Sequence, residues 1–421
     1  MNKKKNNYYV SDVVKSALEN IMKSEKVNKG IEFIKKDHKN TIEEQKEICE
    51  IPAPSFKEGK RSQEMMKRIK KLGLKEVYID EVGNVIAKRS GGGHGPKLVI
   101  AAHLDTVFLE TVDTTVVEKE EKLYAPGIAD DTRGLAEILC LIRAFNHTDI
   151  ETIGDIIFVA NVCEEGIGDL KGTKHLFKEN KDIDGFISID GTGVSSITYL
   201  ATGSHRYKIT YKGPGGHSYT EFGTPSAIHA MGRAIAKISD LECPKDPKTT
   251  FTVGTVEGGT SVNSIAAEAS MLIDIRSNSE EEIIRLEKQI IDKIKEGAEE
   301  ENNRWKSDKK ISVEVDLIGN RPAGTQSKES IIIQSICAST EVIGLVPDLS
   351  NPGSTDANIP ISMGIPGVAV GRGGKSGKIH SLEEWFDPKE AYLGPQKVFL
   401  STLPLVGIKD LTNPLLEIRQ K

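Results

Sequence analysis

The pattern that most narrows the fold is an alternation of short apolar runs with longer amphipathic ones, interrupted once by a block of another kind. KLVIAAHLD (97–105), DIIFVANV (155–162) and residues 184–190 are too short for helices and apolar almost throughout, as strands buried on both faces of a sheet are. Between the first two, TRGLAEILCLIRAF (132–145) repeats its apolar residues at helical spacing. Earlier, residues 29–50 and 57–72 read as helices parted by the prolines of IPAP (51–54), and 76–80 and 84–89 read as strands. Helices alternating with short buried strands predict an α/β fold, a mixed and mostly parallel sheet flanked by helices.

The interrupting block starts after residue 203. HRYKITYKG (205–213), TTFTVGTVEG (249–258), EASMLIDIRS (268–277) and ISVEVDLIG (311–319) read as strands. TPSAIHAMGRAIAKISDL (224–241) and residues 279–303 read as helices, the second carrying Ile283, Ile290 and Ile294 on one face. Their order, β-α-β-β-α-β, is that of a ferredoxin-like α+β unit. Helical and strand patterns of the first kind resume at 329–345 and 365–371. The expected organisation is therefore a larger domain in two parts, 1–203 and 320–421, with a small domain inserted at 204–319.

Composition removes several functional classes. A net charge of −6 gives no reason to expect nucleic acid or an anionic membrane as partner. MNKKKNNYYV is basic but is followed by no apolar run, so it does not read as a secretory signal, and its lysines at 3–5 read as a solvated end. No stretch approaches the roughly 20 apolar residues of a membrane span. Five scattered cysteines without a C-x-x-C pair read as buried, reduced thiols of a cytoplasmic protein.

Why, then, does DIIFVANV run straight into Glu164 and Glu165? A solvated turn is the ordinary outcome for adjacent acids. The rest of the chain offers another. His103 and Asp105 end one strand and, two residues apart, point to one side of it, so a carboxylate can meet an imidazole there. Asp190 ends another strand, in SIDG. Asp130 and Asp131 stand in GIADDTRG (127–134) at the entry to a helix, where an Asp commonly serves as N-cap. His380 lies in a polar loop after the glycine-rich GRGGKSG (371–377). That loop lacks the sequence of a phosphate-binding loop and reads as a turn shaping the approach to His380. Open α/β sheets bind ligands beyond the carboxyl ends of their strands. Two histidines and several carboxylates from distant segments suit Zn²⁺, with Co²⁺ or Mn²⁺ as alternatives, in a two-ion hydrolytic site. One glutamate of the pair then binds metal and its neighbour stays free as a base. Of the other histidines, His38, His94, His147 and His175 read as solvated, His229 as packing in its helix, and His205 stays undecided.

Together, HLDTV, GIADDTRG, VCEEG, SIDG, GPGGHS and IHS resemble the co-catalytic di-zinc metallopeptidase family of peptidase T, glutamate carboxypeptidase and aminoacylase, in order from IPAPS (51–55) to about residue 400. The resemblance implies a catalytic domain bearing an inserted lid, with two Zn²⁺ per subunit. It implies His103 and Asp190 on one metal, Glu165 and His380 on the other, and Asp130 as bridge, with Asp131 its neighbouring competitor. Asp105 would orient His103, and Glu164 would be the general base. On the lid, His217 would reach across a homodimer to substrate, with Asn263 of TSVNS and Arg276 of DIRS as further substrate contacts. The implied activity is cleavage of an amide bond in short peptides, peptidase T-like, since GSTDANIPISMGIPG (353–367) and the ADD loop look closest to that branch. Deacylation of N-acyl amino acids is the alternative within the family. A catalytically inactive metal-binding scaffold is the alternative outside it.

Overall fold

A computed structural model describes residues 8–349 and 352–419, so the lysines at 3–5 lie outside the described residues. The chain divides into two compact units, one made of the residues up to Ala201 with those from Thr325 onward, the other Thr202–Gly324.

The first unit is built on a seven-stranded sheet, in the order Glu76–Ile79, Val85–Arg89, Asp155–Asn161, Lys97–His103, Gly185–Ile189, Gly367–Val370, Ile197–Thr198. The four central strands are mutually parallel, and the outer pairings are antiparallel. The continuous apolar runs follow from burial on both sides. Leu98, Ile100 and Ala102 join one core together with Ile156, Phe158, Ile187, Val368 and Val370. Val99 and Ala101 join the opposite core with Val159, Phe186 and Ala369. Helices Thr132–Thr148, Ile331–Val342 and Leu393–Val406 cover the first face, and Lys171–Glu179 and Asn358–Ser362 the second.

The single helix expected over 29–50 is two, Glu25–Lys36 and His38–Cys49, preceded by an unanticipated helix Asp12–Met22. No proline or glycine marks the break at Asp37. Its carboxylate is held instead by Arg143 of another helix, at 2.6 and 2.9 Å, a tertiary contact that local patterning does not register. A small antiparallel sheet, Lys375–Gly377, Trp385–Asp387, Lys122–Tyr124, Val117–Lys119, was likewise not legible. It pairs Trp385 with Tyr124 and so brings the segment after His380 beside the one before Asp130.

The second unit has a four-stranded antiparallel sheet, ordered Thr249–Gly258, Glu268–Ser277, Gly203–Lys212, Ser312–Arg321. Tyr207, Ile209 and Tyr211 alternate inward, as do Ala269, Met271, Ile273 and Ile275, onto helices Ala227–Ser239 and Glu280–Arg304. Ser279 caps the long helix through its side chain, ahead of three glutamates in the first turn, where the helix dipole favours negative charge. Among the described residues no helix is long and apolar enough to cross a membrane.

Candidate metal centre

Three adjacent parallel strands, Asp155–Asn161, Lys97–His103 and Gly185–Ile189, end on the same edge of the sheet. Beyond their carboxyl ends lie Glu164 and Glu165, then His103 with Asp105, then Asp190. Parallel pairing alone collects residues more than 80 positions apart. The ADD loop and the His380 loop complete the cluster. His103, Asp130 and Asp190 offer ligand atoms within 4.8 Å of one another, as do Asp130, Glu165 and His380. His103, Glu164 and Glu165 form a third such group.

Asp130 is common to the first two groups, and its orientation is specific. Oδ1 faces His103 Nε2 at 3.0 Å, and Oδ2 lies 3.4 Å from His380 Nε2, which is also 2.8 Å from Glu165 Oε1. Asp131 does something else. Its Oδ1 accepts from the Gly134 amide at 3.1 Å as the N-cap of Thr132–Thr148, and its Oδ2 accepts from the His103 amide at 3.0 Å. Glycine is required at 134, because a Cβ there would stand 2.5 Å from Asp131 Oδ1 and 2.6 Å from the Ile189 carbonyl.

The paired glutamates are not a solvated turn: Glu164 is 5 % exposed and Glu165 8 %. Side chains accept from four consecutive backbone amides where the strand ends. Asn84 takes Val162 at 3.0 Å, Glu58 takes Cys163 at 3.0 Å, and the two oxygens of Asp105 take Glu164 and Glu165 at 2.8 and 2.9 Å. Ser55 adds a hydroxyl to Asp105 at 2.6 Å. This adds to the expected role of Asp105. His103 Nδ1 is held at 2.9 Å by the Asp105 backbone carbonyl, with the carboxylate at 3.6 Å, because the carboxylate lone pairs are directed at Ser55 and the two glutamate amides.

The electrostatics follow from crowding acids in a dry site. Burial pushes Asp131 well above the usual carboxylate range, and burial with neighbouring Asp130 raises Asp190. Burial would raise Asp130 too, but the Arg372 guanidinium, His103 and His380 hold it well below that range. Burial opposes protonation of His103, yet Asp105, Asp130 and Asp131 keep its imidazole well above its ordinary value. Asp130 and Glu165 raise His380 to about 10. Such a set of imidazole nitrogens and carboxylate oxygens, short of positive charge, fits divalent ions of the zinc type.

Besides the amide acceptors Asn84 and Glu58, two residues that grip the Asp130 loop were missed in the sequence. Arg372, 4 % exposed, donates to Asp130 Oδ1 and Asp131 Oδ1, both at 3.0 Å, and to the Ala129 carbonyl at 2.6 Å, with Asp190 at 3.6 Å. It follows the fourth parallel strand, Gly367–Val370, so the strand-end rule that found Asp190 points to it equally. The surrounding glycines hid it. Glu384, fully buried, accepts from the amides of Gly127, Ala129 and Asp130, and no sequence signal separates it from its exposed neighbour Glu383.

The residues expected on the lid belong to the second unit. Gly216–His217 pairs with Ser264–Ile265, placing Ser264 opposite His217 and so bringing Asn263 close in register; the Ser218 amide donates to the Asn263 carbonyl at 3.0 Å. Both side chains are exposed. Arg276 is spent locally, its Nε 2.6 Å from Asp274 Oδ2. Three minor expectations fail. His38 is half-buried, edge-on to Tyr392, His175 is half-buried with Nε2 3.9 Å from Asp80 Oδ2, and His229 is exposed rather than packed. His205 is buried and bonded to Glu287.

Over 169 residues the chain is 34 % identical to a protein of Pyrococcus furiosus assigned as a LysW-lysine/LysW-ornithine hydrolase, covering 40 % of this chain and 47 % of that one. Over 194 residues it is 26 % identical to the succinyl-diaminopimelate desuccinylase of Corynebacterium glutamicum, covering 46 % and 52 %. The chain thus spans about half the length of these curated relatives. A tripeptidase structure from Staphylococcus aureus superposes with a TM-score of 0.72 at 25 % identity, over 86 % of this chain and 97 % of that one. Residues 99–403 match the family described as Peptidase family M20/M25/M40, and with the parallel-sheet edge, the two histidines and the shared Asp130 in place, the chain belongs to that family.

Proposed function

We propose that this chain is a two-metal hydrolase that cleaves an amide bond of short peptides, acting as an exopeptidase. The observation that carries the reading is Asp130, whose two oxygens face different histidines so that two three-residue ligand groups share one carboxylate. His103 and Asp190 would hold one ion, Glu165 and His380 the other, with Asp130 between them, and Zn²⁺ is the ion we favour. Bound there, a pair of divalent ions would bring the pKa of a water toward about 7 and polarise the scissile carbonyl.

The chain's own groups supply the rest. Glu164, held in place through its amide by Asp105, accepts the water's proton and returns it to the departing amine. Asp105 and Asp131 fix His103 through its ring and its amide. We place His217 at the developing oxyanion, contributed by the partner subunit of a homodimer joined through the second unit. Asn263 and Arg276 would contact substrate from the same unit, Arg276 offering forked donors suited to a carboxylate once it exchanges Asp274. The site of action would be the cytoplasm.

Glu164→Gln should retain zinc and fold while kcat falls by roughly 10²–10⁴-fold. A variant with wild-type kcat would remove Glu164 from the mechanism. Deacylation of N-acyl amino acids is a second reading, favoured by the desuccinylase among the relatives. Incubating zinc-loaded protein with tripeptides and with acyl-amino acids separates the two: released acetate or succinate with intact peptides would replace the peptidase reading.

A further inference from the structure

We infer that Glu384 is a positioning residue that locks the Asp130 loop to the His380 loop and thereby sets the metal affinity of the centre. It rests on the proposal that Asp130 and His380 are ligands. Glu384 has no exposed surface. Its Oε1 accepts from Ala129 at 2.9 Å and Asp130 at 3.0 Å, and its Oε2 from Gly127 at 3.2 Å. Its own carbonyl accepts from Ala125 at 3.2 Å, and Trp385 pairs with Tyr124. The carboxylate therefore lies four residues after one ligand and grips the backbone of the other.

A neutral side chain could close a turn; a buried carboxylate is expensive unless its charge is used. Here the charge is met by three backbone N–H donors of one loop, while Arg372 approaches that loop from its carbonyl side. Glu384 takes the Asp130 amide at 3.0 Å while Arg372 takes the Ala129 carbonyl at 2.6 Å, so the peptide ahead of Asp130 is held from both ends. That grip presents one Asp130 oxygen to each histidine. The adjacent Glu383 does nothing comparable: its side chain is 74 % exposed and paired with Lys378.

The test is zinc titration of the full-length protein against a chromophoric chelator, with melting of the metal-free form measured alongside. Glu384→Gln replaces one acceptor oxygen by an amino group facing backbone N–H donors, and should weaken zinc binding by about tenfold or more, as losing a carboxylate behind a metal ligand commonly does. Glu384→Asp keeps the charge on a shorter stem and should fall between Gln and wild type, about threefold or more below wild type. Glu383→Gln should stay within about twofold of wild type. Wild-type zinc affinity in Glu384→Asp, or in a folded Glu384→Gln, overturns the inference and leaves the ligand assignment standing. Should Glu384→Gln not fold, Glu384→Asp decides alone. A wild-type protein that binds no zinc overturns the ligand assignment and this inference together.

Discussion

Arg372 and Arg276 both face aspartates, and the two regions use the pairing in opposite ways. In the first unit Arg372 is buried beyond a parallel strand, shared among Asp130, Asp131 and Asp190 and two backbone carbonyls. In the second, Arg276 lies on a strand of an antiparallel sheet with a side chain 42 % exposed, bonded to Asp274 two residues away. The parallel sheet is covered on both faces, so anything past its strand ends is held by loops in low dielectric, and every charge there needs a partner. The antiparallel sheet has helices on one face, and the Arg276–Asp274 pair rests where water can screen it. The same chemical pair is structural necessity in one place and a reserve of donors in the other.

That contrast breaks or holds on three measurements. The largest effect should come from Arg372→Met, which strands the buried Asp131 and the largely covered Asp130 and Asp190: in chelator-treated protein, denaturant unfolding should show a loss of about 3–5 kcal/mol. Zinc should recover part of that loss, and equal losses with and without zinc would mean that Arg372 does not share its charge-balancing task with metal. Next, Ile294→Ala, at a fully buried position of the second unit's core, should cost roughly 2–5 kcal/mol, because that unit is held by apolar packing. A smaller loss than Arg276→Ala gives would invert the comparison. Arg276→Ala itself should change stability by no more than about 1 kcal/mol, as exposed ion pairs do. Its consequence should appear in KM for substrates ending in a carboxylate, and an unchanged KM would remove it from the substrate contacts.

Much of the centre was legible because strand-end chemistry is local. His103, Glu164, Glu165 and Asp190 each follow an apolar run whose length and direction announce a buried parallel strand. Arg372 follows such a run too, and was hidden only by its glycines. The acceptors Asn84, Glu58 and Glu384 were not legible, since each bonds a backbone amide 78 to 257 residues away, and an amide carries no sequence identity. The second role of Asp105, accepting the Glu164 and Glu165 amides beside its hold on the His103 ring, has the same origin.

By itself the sequence determined the periods: apolar throughout for strands covered twice, alternating for strands covered once, and hence which residues stand at strand ends. Only the tertiary structure decided how those ends are used. The small sheet that pairs Trp385 with Tyr124 draws His380 toward Asp130, and Arg372 and Glu384 grip the peptide ahead of Asp130. Side-chain period is a property of neighbouring residues, written every two or 3.6 positions. The orientation of one carboxylate depends on hydrogen bonds across hundreds of residues, and only the folded chain brings those partners within reach.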